Sequence, residues 1–327
     1  MPIKNLKTWK FLQESLTNGI AAMLLYVVES KGSSPGRQGF MMVVNENGNI
    51  EGSIGGGIME HKLVELARQK LLDKTLDGET GFLKKQLHDK LAASNQSGMI
   101  CSGEQTIFFY RPKANDRSTV QSVIDALQEN KNGSLQLAPG KILLDEEDPA
   151  ENFSFLFQSE EDWLYREQVG YKHFLHIIGA GHCSLALSSL MRQLDFYVRV
   201  YDDRQELKTF RENDSAHEKF LVTDYAELKE RIAGGPDQYL VIMTMGYRTD
   251  DIAVRALMGK EFAYIGMLGS RTKTGKMMDA YHAEGLSSSW LQRIHSPAGL
   301  SISSRTPEEI AVSIAAEMIS TKNKQKR

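Results

Sequence analysis

The sequence predicts an α/β protein of two domains: a mixed α/β domain, then a Rossmann-like domain built on a parallel sheet. Two observations predict this. At 327 residues the chain exceeds what one hydrophobic core usually organises. From His173 its rhythm also changes to strand, glycine turn, helix, strand, the signature of a parallel sheet. The boundary is expected near Gln168, giving domains 1–168 and 169–327.

In the first half, residues 20–29 (IAAMLLYVVE) form an apolar run rich in β-formers. Gly32-Ser33-Ser34-Pro35-Gly36 breaks it, so a buried strand and then a loop are expected. Residues 39–44 and 50–53 flank Asn45-Glu46-Asn47-Gly48-Asn49, whose Asn and Gly suit the positive φ angles of a hairpin turn. After Gly55-Gly56-Gly57, residues 58–72 place Leu63, Leu66, Ala67 and Leu71 at helical spacing. Residues 105–110 (QTIFFY) read as a strand, and 118–130 as an amphipathic helix stopped by Asn132-Gly133. Residues 153–169 read as a last hairpin or as the bridge between domains.

In the second half, 174–178 is the first parallel strand, 184–193 its helix and 197–201 the second strand. Later strands are expected over 239–244 and 263–267, with helices over 250–260 and 272–285. Pro307-Glu308-Glu309 starts a final helix, with Thr306 as N-cap and Glu309 spaced for a capping box.

Composition excludes several classes. An apolar share of 41% and a charged share of 25% are those of a packed globular chain. A formal charge of -3 with scattered basic residues lacks the electrostatic footprint of a nucleic-acid binder. The basic run 322–327 reads as a frayed tail. No stretch reaches the roughly 20 apolar residues that span a bilayer, and the first residues lack a secretory pattern. Cys101 and Cys183 are too few for a disulfide framework and lack zinc-site spacing, so a reducing cytoplasm is expected.

The strongest chemical signal is Gly179-Ala180-Gly181-His182-Cys183-Ser184 after an apolar strand, with Asp202 ending the next one. Gly179 suits a tight turn, Gly181 a close backbone approach to pyrophosphate, the helix start an anion, and Asp202 the ribose hydroxyls of NAD(P). Ser184 replaces the third glycine of that fingerprint. His182 reads as a ligand contact or as a solvated histidine, and Cys183 as a packing residue. In the first domain, glycine loops at 32–37, 52–57 and 101–104 gather Ser33, Ser34, Ser53, Arg37 and the amides of Gly55, Gly56 and Gly57. Jointly they suit an oxyanion or phosphate; singly they read as tight turns. Cys101 reads as an accessible thiol or as a buried inert one. Ser270 and Arg271 fall at a strand's carboxyl end, as phosphate contacts or as a helix-starting turn.

These residues resemble a known family. GSSPGRQG with EGSIGGGIME resembles the N-terminal domain of xanthine dehydrogenase accessory (maturation) proteins. HIIGAGHCSLAL, VYDDR, YIGMLGSRTK and HSPAGLSISSRTPEEIAVSIAAE resemble the Rossmann domain of that family, in the same order. The resemblance implies a chaperone for the molybdenum cofactor (molybdopterin), without independent turnover. A homodimer is the expectation from base rates for a cytoplasmic protein of this size. By the resemblance, such a protein would support the cofactor's sulfuration and insertion into xanthine dehydrogenase or a related molybdenum enzyme, beside a sulfur-donor protein. It also makes Cys101 the contact to the metal or its sulfur. The chain departs from the family pattern at Thr244-Met245-Gly246, where Thr-His is common. It departs again at Cys101-Ser102-Gly103, where Gly-Gly follows the cysteine, and at Ser301 and Ser303. An NAD(P)-dependent oxidoreductase and an assembly protein with an empty crevice are the competing readings; the first lacks an identifiable proton-transfer group, since neither a lone His182 nor His295 beside Pro297 makes a persuasive acid or base.

Overall fold

The computed structural model describes residues 5–73, 81–87, 103–146, 152–286 and 288–324. The chain forms two compact units, Pro2–Gly170 and Tyr171–Arg327. Among the described residues, no helix is long and apolar enough to cross a membrane.

In the N-terminal unit, α1 (Leu6–Thr17) precedes β1 (Ala22–Gly32), the hairpin β2 (Met41–Asn45) and β3 (Ile50–Gly52), α2 (Gly57–Leu72), β4 (Gly81–Leu87) and β5 (Gly103–Tyr110). The strands make one antiparallel sheet in the order β3-β2-β1-β5-β4. β1 is apolar without alternation because both its faces are covered. Met23, Leu25 and Val27 pack with α2 through Met59, Leu63 and Ala67, while Leu24, Tyr26 and Val28 face the other way. That second face packs α1, α3 (Arg117–Glu129) and a further sheet of β6 (Gly133–Ala138), β7 (Lys141–Asp145), β8 (Phe153–Ser159) and β9 (Asp162–Val169), ordered β7-β6-β9-β8. Residues 153–169 are therefore a hairpin inside this unit. α3 ends earlier than its sequence suggests: Asn130, at φ 52°, takes the left-handed cap position, and Gly133 opens β6.

The C-terminal unit runs β10 (Phe174–Ile178), α4 (His182–Gln193), β11 (Tyr197–Asp202), α5 (Lys208–Arg211), β12 (Glu218–Leu221), α6 (Leu228–Arg231), β13 (Gly235–Ile242), α7 (Tyr247–Leu257), β14 (Phe262–Met267), α8 (Arg271–Ala283), α9 (Ser288–Leu291), β15 (Ile294–His295) and α10 (Pro307–Lys324). Its six strands are all parallel, in the order β12-β11-β10-β13-β14-β15, which is the doubly wound Rossmann order. α4 and α10 pack one face through Leu187, Met191, Ile314 and Met318; α7 and α8 pack the other through Val254, Leu257, Met277 and Tyr281. The expected capping box opens α10: Glu309 N donates to Thr306 Oγ1 and Thr306 N to Glu309 Oε2, both at 3.2 Å. That helix runs through Lys322 to Lys324, so the start of the basic run is helical rather than frayed.

Candidate functional site

Two glycine-rich clusters were legible in the sequence, and the structure treats them differently. In the N-terminal unit the loops converge on Gln105, a side chain 1% exposed in β5. Its Oε1 accepts from Ser34 Oγ at 2.7 Å and from Gly36 N at 3.3 Å. A Cβ on Gly36 would sit 2.1 Å from Ile54 O, one on Gly55 2.6 Å from Gly36 N, and one on Gly103 2.6 Å from Ser34 N. The close approach is therefore of loop to loop.

The backbone amides of this cluster meet a carboxylate of the chain itself. Glu60 Oε2, from the first turn of α2, accepts from Ile54 N at 2.9 Å, Gly56 N at 3.0 Å and Ser53 Oγ at 2.7 Å. Ser53 Oγ in turn accepts from Gly55 N at 3.2 Å. A carboxylate of the chain itself thus takes the donors that the sequence reading offered to an oxyanion. A cavity of about 260 Å³ adjoins, lined by Gly52, Gly57, Glu60, His61 and Arg68. Ser33 and Arg37 are exposed, and Arg37 donates to Gly32 O at 3.0 Å. Cys101 and Ser102 lie outside the described residues.

In the C-terminal unit, β10 runs into Gly179, whose N donates to Tyr201 O at 2.7 Å. Gly179 has φ +105°, and a Cβ there would lie 2.4 Å from Met243 O, so glycine is required for the turn itself. Gly181 differs: its φ is -71°, and nothing lies within 4 Å of where its Cβ would be. It is the N-cap of α4 and offers no side-chain cap. α7, which follows β13, likewise starts after an uncapped glycine, Gly246, with open space at its Cβ position. The strand order reverses between β10 and β13, so these two helices open on the switch point, where doubly wound sheets hold ligands. α8 does not share this: Ser270 Oγ caps it by accepting from Lys273 N at 3.2 Å, and Arg271 is the exposed first helical residue.

Asp202 sits at the end of β11 with no exposed surface. Its Oδ2 accepts from Ala180 N at 2.6 Å and Arg204 Nη2 at 2.8 Å; its Oδ1 accepts from Arg204 N at 2.9 Å and Arg204 Nε at 2.8 Å. A carboxylate has about four acceptor positions, and all are taken. Arg204 also reaches the exposed Met245 Sδ at 3.4 Å. His182 is the first residue of α4, exposed, on a groove of about 550 Å³ between α4 and α10. Cys183 packs against the core, and burial pushes its thiol pKa up, as suits a packing residue. Ser184 is fully buried, so the larger side chain is accommodated between helix and strand.

Sequence reading missed a second polar cluster at the same edge. Asp250 of α7, fully buried, accepts from Thr244 N at 3.1 Å and Thr244 Oγ1 at 2.6 Å, and pairs with Lys273 Nζ of α8 at 2.5 Å. Gln105 and Glu60 were missed as well. Their partners lie across the fold or inside what reads as an ordinary helix turn, although an acid four residues after Gly56 is a signal for capping of the loop.

Comparisons with known proteins agree with this architecture. The model of the XdhC and CoxI family matches residues 15–78, and that of the XdhC Rossmann domain matches 175–318. The uncharacterized protein YqeB of Escherichia coli (strain K12) is 23% identical over 299 residues, 91% of this chain, which spans 43% of that relative's length. A probable xanthine dehydrogenase subunit of Bacillus subtilis (strain 168) is 24% identical over 322 residues, covering 93% of this chain and 94% of the relative. A crystal structure described as a xanthine dehydrogenase from Bacillus halodurans superposes with a TM-score of 0.70 at 22% identity, over 97% of this chain and 96% of that one. At that identity the likeness is one of fold.

Proposed function

This chain belongs to the XdhC family, and from that premise we propose that it is an accessory factor of xanthine dehydrogenase or a related molybdenum hydroxylase, binding the molybdenum cofactor and assisting its sulfuration and insertion. The observation that carries the reading is the pair of uncapped helix starts, α4 and α7, at the switch point of the sheet. First-turn amides have no acceptor within their own helix, and the helix dipole favours an anion there. The cofactor's phosphate end fits that seat. Its metal end calls for a soft ligand; Cys101, which the family resemblance makes that contact, lies outside the described residues. When bound, the cofactor contributes the redox-active metal that the client enzyme uses; the residues of this chain bind, orient and shelter it.

Exposed apolar side chains on the segments after β13 and β15, namely Met245 and Tyr247, then Leu300 and Ile302, suit a protein partner at the same edge. The factor acts in the cytoplasm as a homodimer, with a sulfur-donor protein as second partner. The test is titration of the purified full chain with molybdenum cofactor and, separately, with NAD and NADP, followed by ligand fluorescence and thermal shift. Cofactor binding with no pyridine-nucleotide turnover is expected; tight NAD(P) binding with turnover overturns the proposal in favour of an oxidoreductase. Cys101→Ser should lose cofactor retention, and wild-type retention would remove Cys101 from the site.

A further inference from the structure

β14, α10 and the segment at Gly299 gather around one imidazole–carboxylate pair at the end of β15, the edge strand of the C-terminal sheet. β15 ends on His295, opposite Gly266 of β14 in parallel register. Its Nδ1 lies 3.0 Å from Glu317 Oε1 of α10. The other oxygen, Glu317 Oε2, accepts from the Tyr264 hydroxyl at 2.6 Å and from Gly299 N at 2.8 Å. The Tyr264 ring lies 4.8 Å from the imidazole, centroid to centroid, tilted by 33°. The Glu317 side chain is 17% exposed, whereas that of His295 is 38% exposed.

Charge fixes the tautomer. Burial raises the proton affinity of Glu317, but the Tyr264 hydroxyl, the Gly299 amide and His295 outweigh it and hold the carboxyl below its ordinary range. Tyr264 is pushed far upward, by burial first and then by Glu317, so it stays protonated as a donor. An ionised carboxylate only accepts, so in the neutral ring it selects N–H at Nδ1 and leaves the lone pair on Nε2. Among the described residues the imidazole makes its polar contact at Nδ1.

We propose that His295 is a proton-accepting group for a phosphate-anchored ligand whose distal end carries an ionisable O–H or S–H. Because every strand is parallel, β15 ends on the same edge as the glycine turn after β10. The two are three strand intervals apart, roughly 14 Å, the reach of a ligand seated by its phosphate at α4 and extending over β13 and β14. In the step, the O–H or S–H bond breaks, its electron pair stays on oxygen or sulfur, and the proton bonds to Nε2. The imidazolium is balanced by Glu317, and no electron is transferred. Tyr264 and Glu317 are positioning residues. The inference goes beyond the accessory reading, since a pterin phosphate and a pyridine nucleotide with its substrate both meet these requirements.

Histidine-labelled full-length protein tests it by long-range ¹⁵N–¹H NMR. His295 is expected as the Nδ1–H tautomer, with the preference lost in Glu317→Gln. Diethyl pyrocarbonate, which acylates a lone-pair imidazole nitrogen, should label His295 in the free protein at least ~10-fold faster than with a ligand in the crevice. Protection by molybdenum cofactor supports this inference and the accessory reading together; protection by NADPH alone supports the inference and overturns that reading. An Nε2–H tautomer in the wild type, or equal labelling with and without both ligands, overturns the inference.

Discussion

Gly179 and Gly181 stand two residues apart in one turn, and substitution there should have opposite consequences. In Gly179→Ala the new Cβ meets Met243 O at 2.4 Å and Met243 C at 2.7 Å, backbone atoms at the end of a central strand, while the residue keeps φ +105°. The conformational strain alone is ~1–3 kcal/mol, and the contact brings the total to about 3–5 kcal/mol. At about 2–4 °C per kcal/mol, unfolding of the C-terminal unit should fall by roughly 6–20 °C. Gly181→Val is different. Its φ of -71° is open to any residue and its Cβ meets nothing within 4 Å, so the stability change should stay within about 1 kcal/mol. The added side chain instead stands before the uncapped amides of α4. Loss of one charge-assisted hydrogen bond there costs about 1.5–3 kcal/mol, or roughly 10- to 150-fold in Kd. Scanning fluorimetry and equilibrium dialysis with molybdenum cofactor separate the two effects: Gly179→Ala melts early, whereas Gly181→Val melts normally but loses the ligand-induced shift. Wild-type affinity in Gly181→Val would refute the assignment of the α4 mouth as the seat.

Three further outcomes are expected. Glu60→Ala should cost about 1–3 kcal/mol, as the Ile54 and Gly56 amides lose a charged acceptor, and should create a sulfate-dependent rise in Tm; identical sulfate responses in variant and wild type would show that Glu60 fills no oxyanion seat. Arg204→Met releases two acceptor positions of Asp202, so NAD should bind about 10- to 100-fold more tightly than to the wild type by dialysis, and unchanged affinity would mean that Arg204 does not withhold Asp202 from ribose. His176, 1% exposed, has its pKa pushed down to about 4 by burial, against an ordinary value of 6.5. The neutral ring belongs to the folded state, so its contribution is complete above about pH 6.5 and is lost as pH falls towards 4, at most about 3 kcal/mol. The urea midpoint should therefore fall less steeply between pH 7 and 4.5 in His176→Leu than in the wild type, and equal slopes would contradict this.

The Rossmann half was legible because its local signals are redundant. β10 and the start of α10 fall where the sequence puts them, since an apolar run ending on a glycine turn and a Thr-Pro-x-Glu cap each have one structural meaning. The strand expected over 239–244 starts earlier, at Gly235, and ends at Ile242, because Thr244 leaves the sheet to bond Asp250. α1 and the β6–β7 hairpin were not read at all. Trp9 and Leu12 of α1 are buried against α3 and the second sheet, and that burial is decided by tertiary packing rather than by a strong local pattern. The glycine loops of the first domain were read as approaching something, but sequence does not say what. Gln105 and Glu60 answer that, over separations of 69 to 71 residues for the Gln105 contacts and of four to seven for Glu60. Likewise His295 had no visible partner, because Glu317 lies on the far helix α10.

A glycine-rich turn is ambiguous until its amides are accounted for, and that accounting separates the two clusters. In the N-terminal unit the amides of Ile54 and Gly56 go to Glu60, that of Gly55 to Ser53 and that of Gly36 to Gln105. Each demand for close approach there is met by another loop of the chain. At the switch point, Asp202 takes the amide of Ala180 and so rigidifies the turn, but its geometry leaves the first turn of α4 without a side-chain cap. α7 repeats the arrangement one strand away, while α8 is closed by Ser270. Backbone donors beside open space at Gly181 and Gly246 have to be met by water or by a ligand. The physical case for an anion therefore rests on the two helix starts that open on the switch point; around Glu60, packing explains Gly36, Gly55 and Gly103, while Gly56 and Gly57, with open space at their Cβ positions, are set by their positive φ angles.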